Sequence, residues 1–419
     1  MCGRRICFDV AKNNRTGMKI LQINKYHYVK GGADVVFFNI MRLLKEKGHQ
    51  VIPFCTVRKQ NFSSEYDRYF TDAPEIRELP FWRKMANVFR FYWNVDAAKK
   101  IECLIKEQRP DVAHLHNIFN GISLSVLPIL KKYNIPVVIS MHDTRFICPS
   151  SEYKLYERCE RCLTYGGLLC GLHRCYQHNF MNSWMCAFEM FHKERLFHYD
   201  KYIDKYIFLS ECYKGMHAAK HNYFQQKGTV LYNFTRMKSS AVAHRGDYLL
   251  YYGRITEEKG LRTLMRVMEM LPDVRLRVVG TGVLSDELRN MRLPNVAFAG
   301  FKSGEDLVHE IENASYVILP SECEENNPLT IIESYMCGKP VVASRKSGIP
   351  EIVSEGETGF MFEPSNAENM CAVLRRALSV NNDEYMRMSE KSYIFAKQHF
   401  SEDVYYERLM KIYNEAISK

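Results

Sequence analysis

Ser321 to Pro340 reads SECEENNPLTIIESYMCGKP, and two of its carboxylates, Glu325 and Glu333, stand eight positions apart. The first lies in the loop after the apolar run Tyr316 to Leu319; the second lies inside a helix that Pro328 opens. The start of that helix offers N–H groups without intrahelical partners and the positive end of a dipole, which suits a phosphate. The carboxylate on the helix can accept both hydroxyls of a ribose, while the other can face the hydroxyls of a sugar. Upstream, Tyr252 to Gly260 reads YGRITEEKG: a strand ends at Gly253, and Arg254 and Lys259 flank a tight turn before the next helix. Two cations so placed can clamp a diphosphate, the guanidinium in bidentate fashion. After another strand, Gly280 and Gly282 allow a backbone to approach a ligand closely.

The first half of the chain holds a second set. Gly31 and Gly32 sit between a strand and a helix, where backbone N–H groups can meet an anion. His116 (HLHN) and His142 (SMHDT) each follow a strand; in one parallel sheet both would point into the same cleft, and the pairing favours a functional role for His142 over His116. Cys148, Cys159, Cys162 and Cys175 are separated by ten, two and twelve residues. They make either a structural four-thiolate zinc site, with Cys170, His173 and His178 as alternative ligands, or a set of reduced, packed thiols.

These residues need a scaffold, and the pattern between them supplies one. From Met18 onward, short apolar runs (Lys19 to Asn24, Gln50 to Cys55, Asp111 to Leu115, Val137 to Ser140, Tyr206 to Leu209) alternate with amphipathic stretches. The rhythm restarts after Asn233 with Tyr248 to Tyr252, Leu276 to Val279, Val296 to Phe298, Tyr316 to Leu319 and Val341 to Ala343. Such alternation predicts an α/β fold of two parallel-sheet halves, with a ligand cleft at the carboxyl ends of the strands. Pro53 argues that its strand is an edge or ends early. The expected organisation is a poorly ordered leader over 1–17, a first domain over 18–235 with a Cys-rich insertion at 148–191, a second domain over 236–400, and a helix over 401–419 that ends the second domain or crosses back to the first.

The chain has 419 residues, 46% hydrophobic and 25% charged, which excludes a disordered or fibrous protein. Its net charge of +10, from 58 basic and 48 acidic residues, favours anionic partners, but the bases are dispersed and do not mark a nucleic-acid surface. No apolar run is long enough to span a bilayer, and Met1 to Gly17 lacks the apolar stretch of a secretory signal, so a cytoplasmic protein with reduced cysteines is expected. Phe81 to Asn94 (FWRKMANVFRFYWN) suits a helix packed on its own domain better than a membrane-interface segment.

Taken together, GGADVVFFNIMRLLKEKGHQV, PDVAHLHN, PVVISMHD, YYGRITEEKG, VVGTG, ENNPLTIIESYMCGKPVVAS, GIPEIV and GETGF resemble glycosyltransferase family 4 over nearly the whole chain from Met18. The resemblance implies a GT-B fold of two Rossmann-like domains and a nucleoside-diphosphate-sugar donor held mainly by the C-terminal one. It also implies transfer with retention of configuration and no metal cofactor for catalysis. By position, Arg254 and Lys259 would bind the diphosphate, Glu325 the donor sugar and Glu333 the ribose. The N–H groups of Leu329 and Thr330 would serve phosphate or sugar. Gly31 and Gly32 would admit the phosphates, and His142 would meet the sugar near its reacting end. Asn233 matches the family's domain-junction Asn. The implied acceptor is a glycan or lipid-linked glycan of bacterial surface polysaccharide, which adds a peripheral contact with the inner face of the membrane to the expected partners. A similar cysteine-rich insertion occurs in a branch of the family.

One departure is visible. Where the family usually has glycine, Asn326, Asn327 and Pro328 fill the loop, and the Asn side chains are expected to crowd or hydrogen-bond the donor sugar. Two other functions compete with transfer: a GT-B nucleotide-sugar epimerase, which needs no acceptor surface, and a non-catalytic scaffold, which the full set of Arg254, Lys259, Glu325 and Glu333 argues against.

Overall fold

A computed structural model describes residues 17–73, 90, 92–150, 162, 167–176, 178–237 and 244–418. Most of the leader, most of Phe81 to Asn94 and Cys159 lie outside the described residues. The strands are β1 (Lys19–Ile23), β2 (Gln50–Phe54), β3 (Val112–Leu115), β4 (Val137–Met141), β5 (Lys205–Phe208) and β6 (Gly228–Val230), then β7 (Tyr248–Tyr252), β8 (Leu276–Val279), β9 (Val296–Gly300), β10 (Ala314–Leu319), β11 (Val341–Ser344) and β12 (Gly359–Phe362). Their order is β2-β1-β3-β4-β5-β6 in one six-stranded sheet and β12-β11-β10-β7-β8-β9 in the other. This is the expected two-sheet α/β fold. The apolar runs read from the sequence are all strands; β6 and β12 were not anticipated.

By contact density the chain forms two compact units, residues 1–28 with 40–136, and residues 29–39 with 137–419. In the first, β1 pairs in parallel with β2 and β3, and Pro53 lies opposite Gln22 on the edge strand, where its missing N–H costs no ladder bond. Helix Val95–Gln108 starts at Asn94, whose side chain accepts from the Ala97 N–H, and it buries Ala97, Ile101, Leu104 and Ile105 at helical spacing.

In the second unit, β7 shows why the strands are apolar throughout. Leu249 and Tyr251 enter one core with Val278, Tyr316 and Ile318; Leu250 and Tyr252 enter another with Val279, Val317 and Leu319. Alternate side chains point to opposite faces, so a sheet covered on both sides needs apolar residues at every position. Helices Leu261–Met270 and Ala367–Ser379 cover one face, and Leu329–Met336 the other. The last helix, Glu402–Ile417, lies against β5: Lys205 Nζ is 2.5 Å from Glu415 Oε2, and Phe234 packs on Tyr405 at 4.3 Å between centroids. Among the described residues, no helix is long and apolar enough to cross a membrane.

Candidate functional site

The turn after β7 is set by backbone contacts. Gly260 has a φ of 69°, and a Cβ there would sit 1.9 Å from Pro320 O, so only glycine lets the turn lie against the end of β10. The N–H groups of Glu322 and Cys323 donate to Glu258 O at 3.0 and 3.2 Å, tying the loop after β10 to this turn. The side chains then meet: Lys259 Nζ donates to Glu325 Oε1 at 2.6 Å, and Ser321 Oγ donates to the same oxygen at 2.5 Å. Only 18% of the Lys259 side chain and 12% of Glu325 is exposed. Burial works to lower the Lys259 pKa, but Glu325 and Cys323 outweigh it, and the net shift is upward, so the ammonium stays charged. Arg254 is 63% exposed and 3.5 Å from Glu258 Oε1. Its backbone is fixed by Tyr251, whose hydroxyl donates to Arg254 O at 2.6 Å. One exposed and one buried cation therefore flank a single hydrogen-bonded turn.

Helix Leu329–Met336 begins where the extended backbone of Pro328 ends, and Leu329 and Thr330 form its first turn. The Tyr252 hydroxyl donates to Thr330 O at 2.8 Å and locks this helix to β7. Glu333, one turn on, is half-buried. Desolvation pushes its carboxyl up to about 7, with a hydrogen bond to Tyr252 acting the other way. The four charged groups read from the sequence thus sit on two loops and one helix that are bonded to one another.

Asn326 and Asn327 do something other than crowd a sugar. Asn326 Nδ2 donates to Met141 O at 3.1 Å, and its Oδ1 accepts from Ser210 Oγ at 2.7 Å. Asn327 Oδ1 accepts from the Asn233 N–H at 2.7 Å, and Asn233 Nδ2 donates to Asn327 O at 2.9 Å. Both loop asparagines are nearly fully buried. Their side chains are spent on holding the loop, and what remains is the buried Asn327 Nδ2, which has no hydrogen-bond partner. Nearby, Glu351 accepts from the N–H groups of Glu211 (2.8 Å) and Cys212 (2.6 Å) at the start of helix Glu211–Lys220, and from the Tyr232 hydroxyl at 3.1 Å.

His142 directly follows Met141, so the Asn326 bond brings it close to the Glu325 loop. Burial lowers its pKa to about 4, which keeps the imidazole neutral at physiological pH. The fully enclosed Tyr213 hydroxyl feels burial first, then Glu324, Asp143 and Glu325, so Asp143 shares these surroundings. His116 instead lies buried against Gln22, its Nε2 2.9 Å from Gln22 Oε1.

The glycines divide into two kinds. A Cβ on Gly280 would lie 1.9 Å from Gly253 O, and one on Gly282 would lie 2.1 Å from Ile255 O. Those two admit neighbouring protein backbone, which accounts for them without a ligand. At Gly31 and Gly32 a Cβ would meet nothing within 4 Å. The Gly31 N–H donates to Asp34 Oδ2 at 3.1 Å, so it caps its own helix and is not held out for an anion.

Cys162, Cys170 and Cys186 form a small apolar core with Tyr176 and Ala187. The Cys170 thiol is raised first by burial, then by the nearby thiols of Cys175, Cys186, Cys148 and Cys162. Among the described residues, no group of three or more His, Cys, Asp or Glu is arranged to hold a metal. The expected zinc ligands Cys148, Cys162 and Cys175 do not make such a set by themselves, and Cys159 lies outside the described residues.

Sequence reasoning missed Ser321, Cys323, Tyr252, Ser210 and Glu351. Ser321 precedes the acidic run and Cys323 interrupts it, and both were legible as neighbours of Glu325; Ser210 and Glu351 act only through distant contacts. A cavity of about 900 Å³, lined by Lys205, Tyr406 and Asn414 among others, opens beside the last helix and holds none of these residues.

Residues 30–235 match the model of Glycosyltransferase Family 4, and residues 234–395 match that of Glycosyl transferases group 1. The chain belongs to the family 4 glycosyltransferases. The sulfoquinovosyl transferase SQD2 of Arabidopsis thaliana is 36% identical over 135 residues, 31% of this chain and 26% of that protein. A lipopolysaccharide 1,2-N-acetylglucosaminetransferase of Salmonella typhimurium is 28% identical over 173 residues, 37% of this chain and 45% of that protein. The chain thus spans under half the length of these two relatives. The crystal structure of Anabaena HepE in complex with UDP-glucose superposes with a TM-score of 0.61 at 16% identity, covering 94% of this chain and 98% of that one. That likeness is one of fold, and the fold is GT-B.

Proposed function

We propose that this glycosyltransferase takes a sugar from a nucleoside diphosphate and joins it, with retention of configuration, to a glycan or lipid-linked glycan of a surface polysaccharide. The observation that carries this reading is the buried Lys259–Glu325 pair, set on a turn that also presents Arg254 and beside the start of helix Leu329–Met336. Departure of a nucleoside diphosphate develops negative charge on the phosphate oxygen. Fixed cations and helix N–H groups stabilise that charge more in the transition state than in the ground state. The C1–O bond to phosphate breaks with its electron pair on the phosphate oxygen, and the acceptor oxygen bonds to C1 on the same face. The acceptor's proton passes to the departing phosphate oxygen. Glu325, anchored by Lys259 and Ser321, orients the sugar hydroxyls, and Glu333 accepts from the ribose. Neutral His142 donates or accepts a hydrogen bond near the reacting carbon without adding charge. The ammonium and guanidinium supply the countercharge that a divalent metal would bring to the leaving group.

The relatives support the setting. One is named for lipopolysaccharide, and HepE has been solved with UDP-glucose. On this reading the enzyme works in the cytoplasm at the membrane face where lipid-linked glycans are built. Thermal unfolding with a panel of UDP-, GDP- and ADP-sugars finds the donor, because a ligand bound only by the native state raises Tm. Proton NMR of the disaccharide product then reads the anomer. A product of inverted configuration sinks the retaining assignment, and isomerised nucleotide sugar formed from donor alone favours the epimerase instead.

A further inference from the structure

The insertion after His142 exposes apolar surface that the transfer reaction does not use. Leu172, Phe180, Met181, Phe188, Phe191 and Leu196 are 36 to 62% exposed, although all fall within 25 residues of sequence. Helices Leu168–Leu172 and Phe180–Phe191 and the π-helical turn His192–Phe197 present them. In helix Leu168–Leu172, Gly171 lies so close to the Trp184 ring that a Cβ would sit 2.5 Å away, which packs this helix directly onto helix Phe180–Phe191. In the second helix, Met181, Trp184, Phe188 and Phe191 recur three and four residues apart and share one face.

The charges of the hairpin are sorted. From Gly167 to His198 the described residues contain two acids, and both turn inward. Glu189 is buried 3.2 Å from Arg145 Nη2, and Glu194 lies 2.6 Å from Lys220 Nζ. The exposed charged side chains on this stretch are Arg174 and Arg195, with His173, His178 and His198 beside them. Arg174 sits 5.8 Å from the Phe180 ring centre. Aromatic, Leu and Met side chains rimmed by cations, with no exposed acid, match the boundary between acyl chains and anionic headgroups.

We infer that the hairpin 168–196 docks on an anionic lipid bilayer, seating its apolar face among the acyl chains and Arg174 and Arg195 at the headgroups. This moves the membrane contact considered for Phe81 to Asn94 onto a different segment. It deepens the membrane setting of the proposed function and is tested without donor or acceptor, so its failure leaves the transfer reaction itself untouched. The full chain is floated with vesicles of phosphatidylcholine alone and of phosphatidylcholine with phosphatidylglycerol. The wild type should float about tenfold more with the anionic vesicles and release in high salt. Leu172→Ser with Phe191→Ser and Leu196→Ser should cut flotation about tenfold at unchanged Tm. Arg174→Glu with Arg195→Glu, on exposed side chains, should remove the preference for anionic lipid and serves if the apolar triple variant fails to fold. A wild type that stays with the protein fraction, or variants that float as it does, overturns the inference. A wild-type dimer in sedimentation that these substitutions dissociate also overturns it, since the face would then belong to a second copy.

Discussion

At Lys259 two demands meet: the side chain is buried enough to lose most of its water, yet it carries a charge that one carboxylate balances. Lys259→Ala leaves the Glu325 carboxylate without its cation and the leaving diphosphate without a partner. Turnover should fall about a hundredfold or more, by analogy with the loss of a single transition-state donor, with weaker donor binding. Wild-type kcat would refute the assignment. Glu333 gives a pH signature. Its carboxyl titrates near 7 in the fold and at its ordinary lower value when unfolded, so the folded state keeps the proton over that interval. Stability therefore falls as pH rises from about 4.5 to 7. Glu333→Gln should remove this slope and add on the order of 2 kcal/mol at pH 8 in urea unfolding. On the proposal that Glu333 accepts from the ribose, nucleotide affinity should drop below pH 7 in the wild type; in the variant it should be weak and flat. The identities of Arg254, Lys259, Glu325 and Glu333 were legible because two cations after a strand-ending glycine, and two carboxylates around a helix start, are the groups that a diphosphate and sugar hydroxyls need. Their pairing was not, because Lys259 and Glu325 are 66 residues apart.

The loop 321–328 is the element on which the site turns. It is stitched to the β7 turn by Glu322 and Cys323, to Met141 and Ser210 by Asn326, and to Asn233 by Asn327. Asn326→Ala removes a donor and an acceptor from buried partners. We expect a loss of about 1–3 kcal/mol of stability in denaturant melts, with KM for the donor rising. A neutral change in both would show that the loop is held elsewhere. From sequence these asparagines were expected to crowd or hydrogen-bond a sugar, because their partners, Met141 and Ser210 for Asn326 and Asn233 for Asn327, lie 185, 116 and 94 residues away. The strands were legible because a sheet covered on both faces demands unbroken apolar runs. The exceptions have a plain cause: β6 is three residues with a glycine at its start, and β12 opens on the glycine of the GETGF turn.

At the scale of the molecule, the first sheet, the second sheet and the closing helix return the two-sheet architecture read from the alternation of apolar and amphipathic segments. The cysteine insertion was less legible, because spacing cannot distinguish metal ligands from packed thiols. The transfer reaction itself should be indifferent to this question. On the proposal that Arg254 and Lys259 provide the countercharge, activity should survive exhaustive EDTA treatment within about twofold, a range set by the small contribution of any surface-bound cation. Abolition of activity, restored by magnesium or manganese, would require a different electrostatic account.

The empty space above Gly31 and Gly32 leads to a way of separating shape from chemistry. No neighbouring atom forbids a methyl group there, and neither residue has a positive φ. On conformational grounds Gly32→Ala, in the first turn of its helix, should raise thermal stability slightly, by up to about 1 kcal/mol. If the donor phosphates pass over these positions, the same methyl group blocks them. The variant would be a healthy, well-folded enzyme that has lost its substrate, suited to asking inside a cell whether the protein's presence matters apart from its turnover.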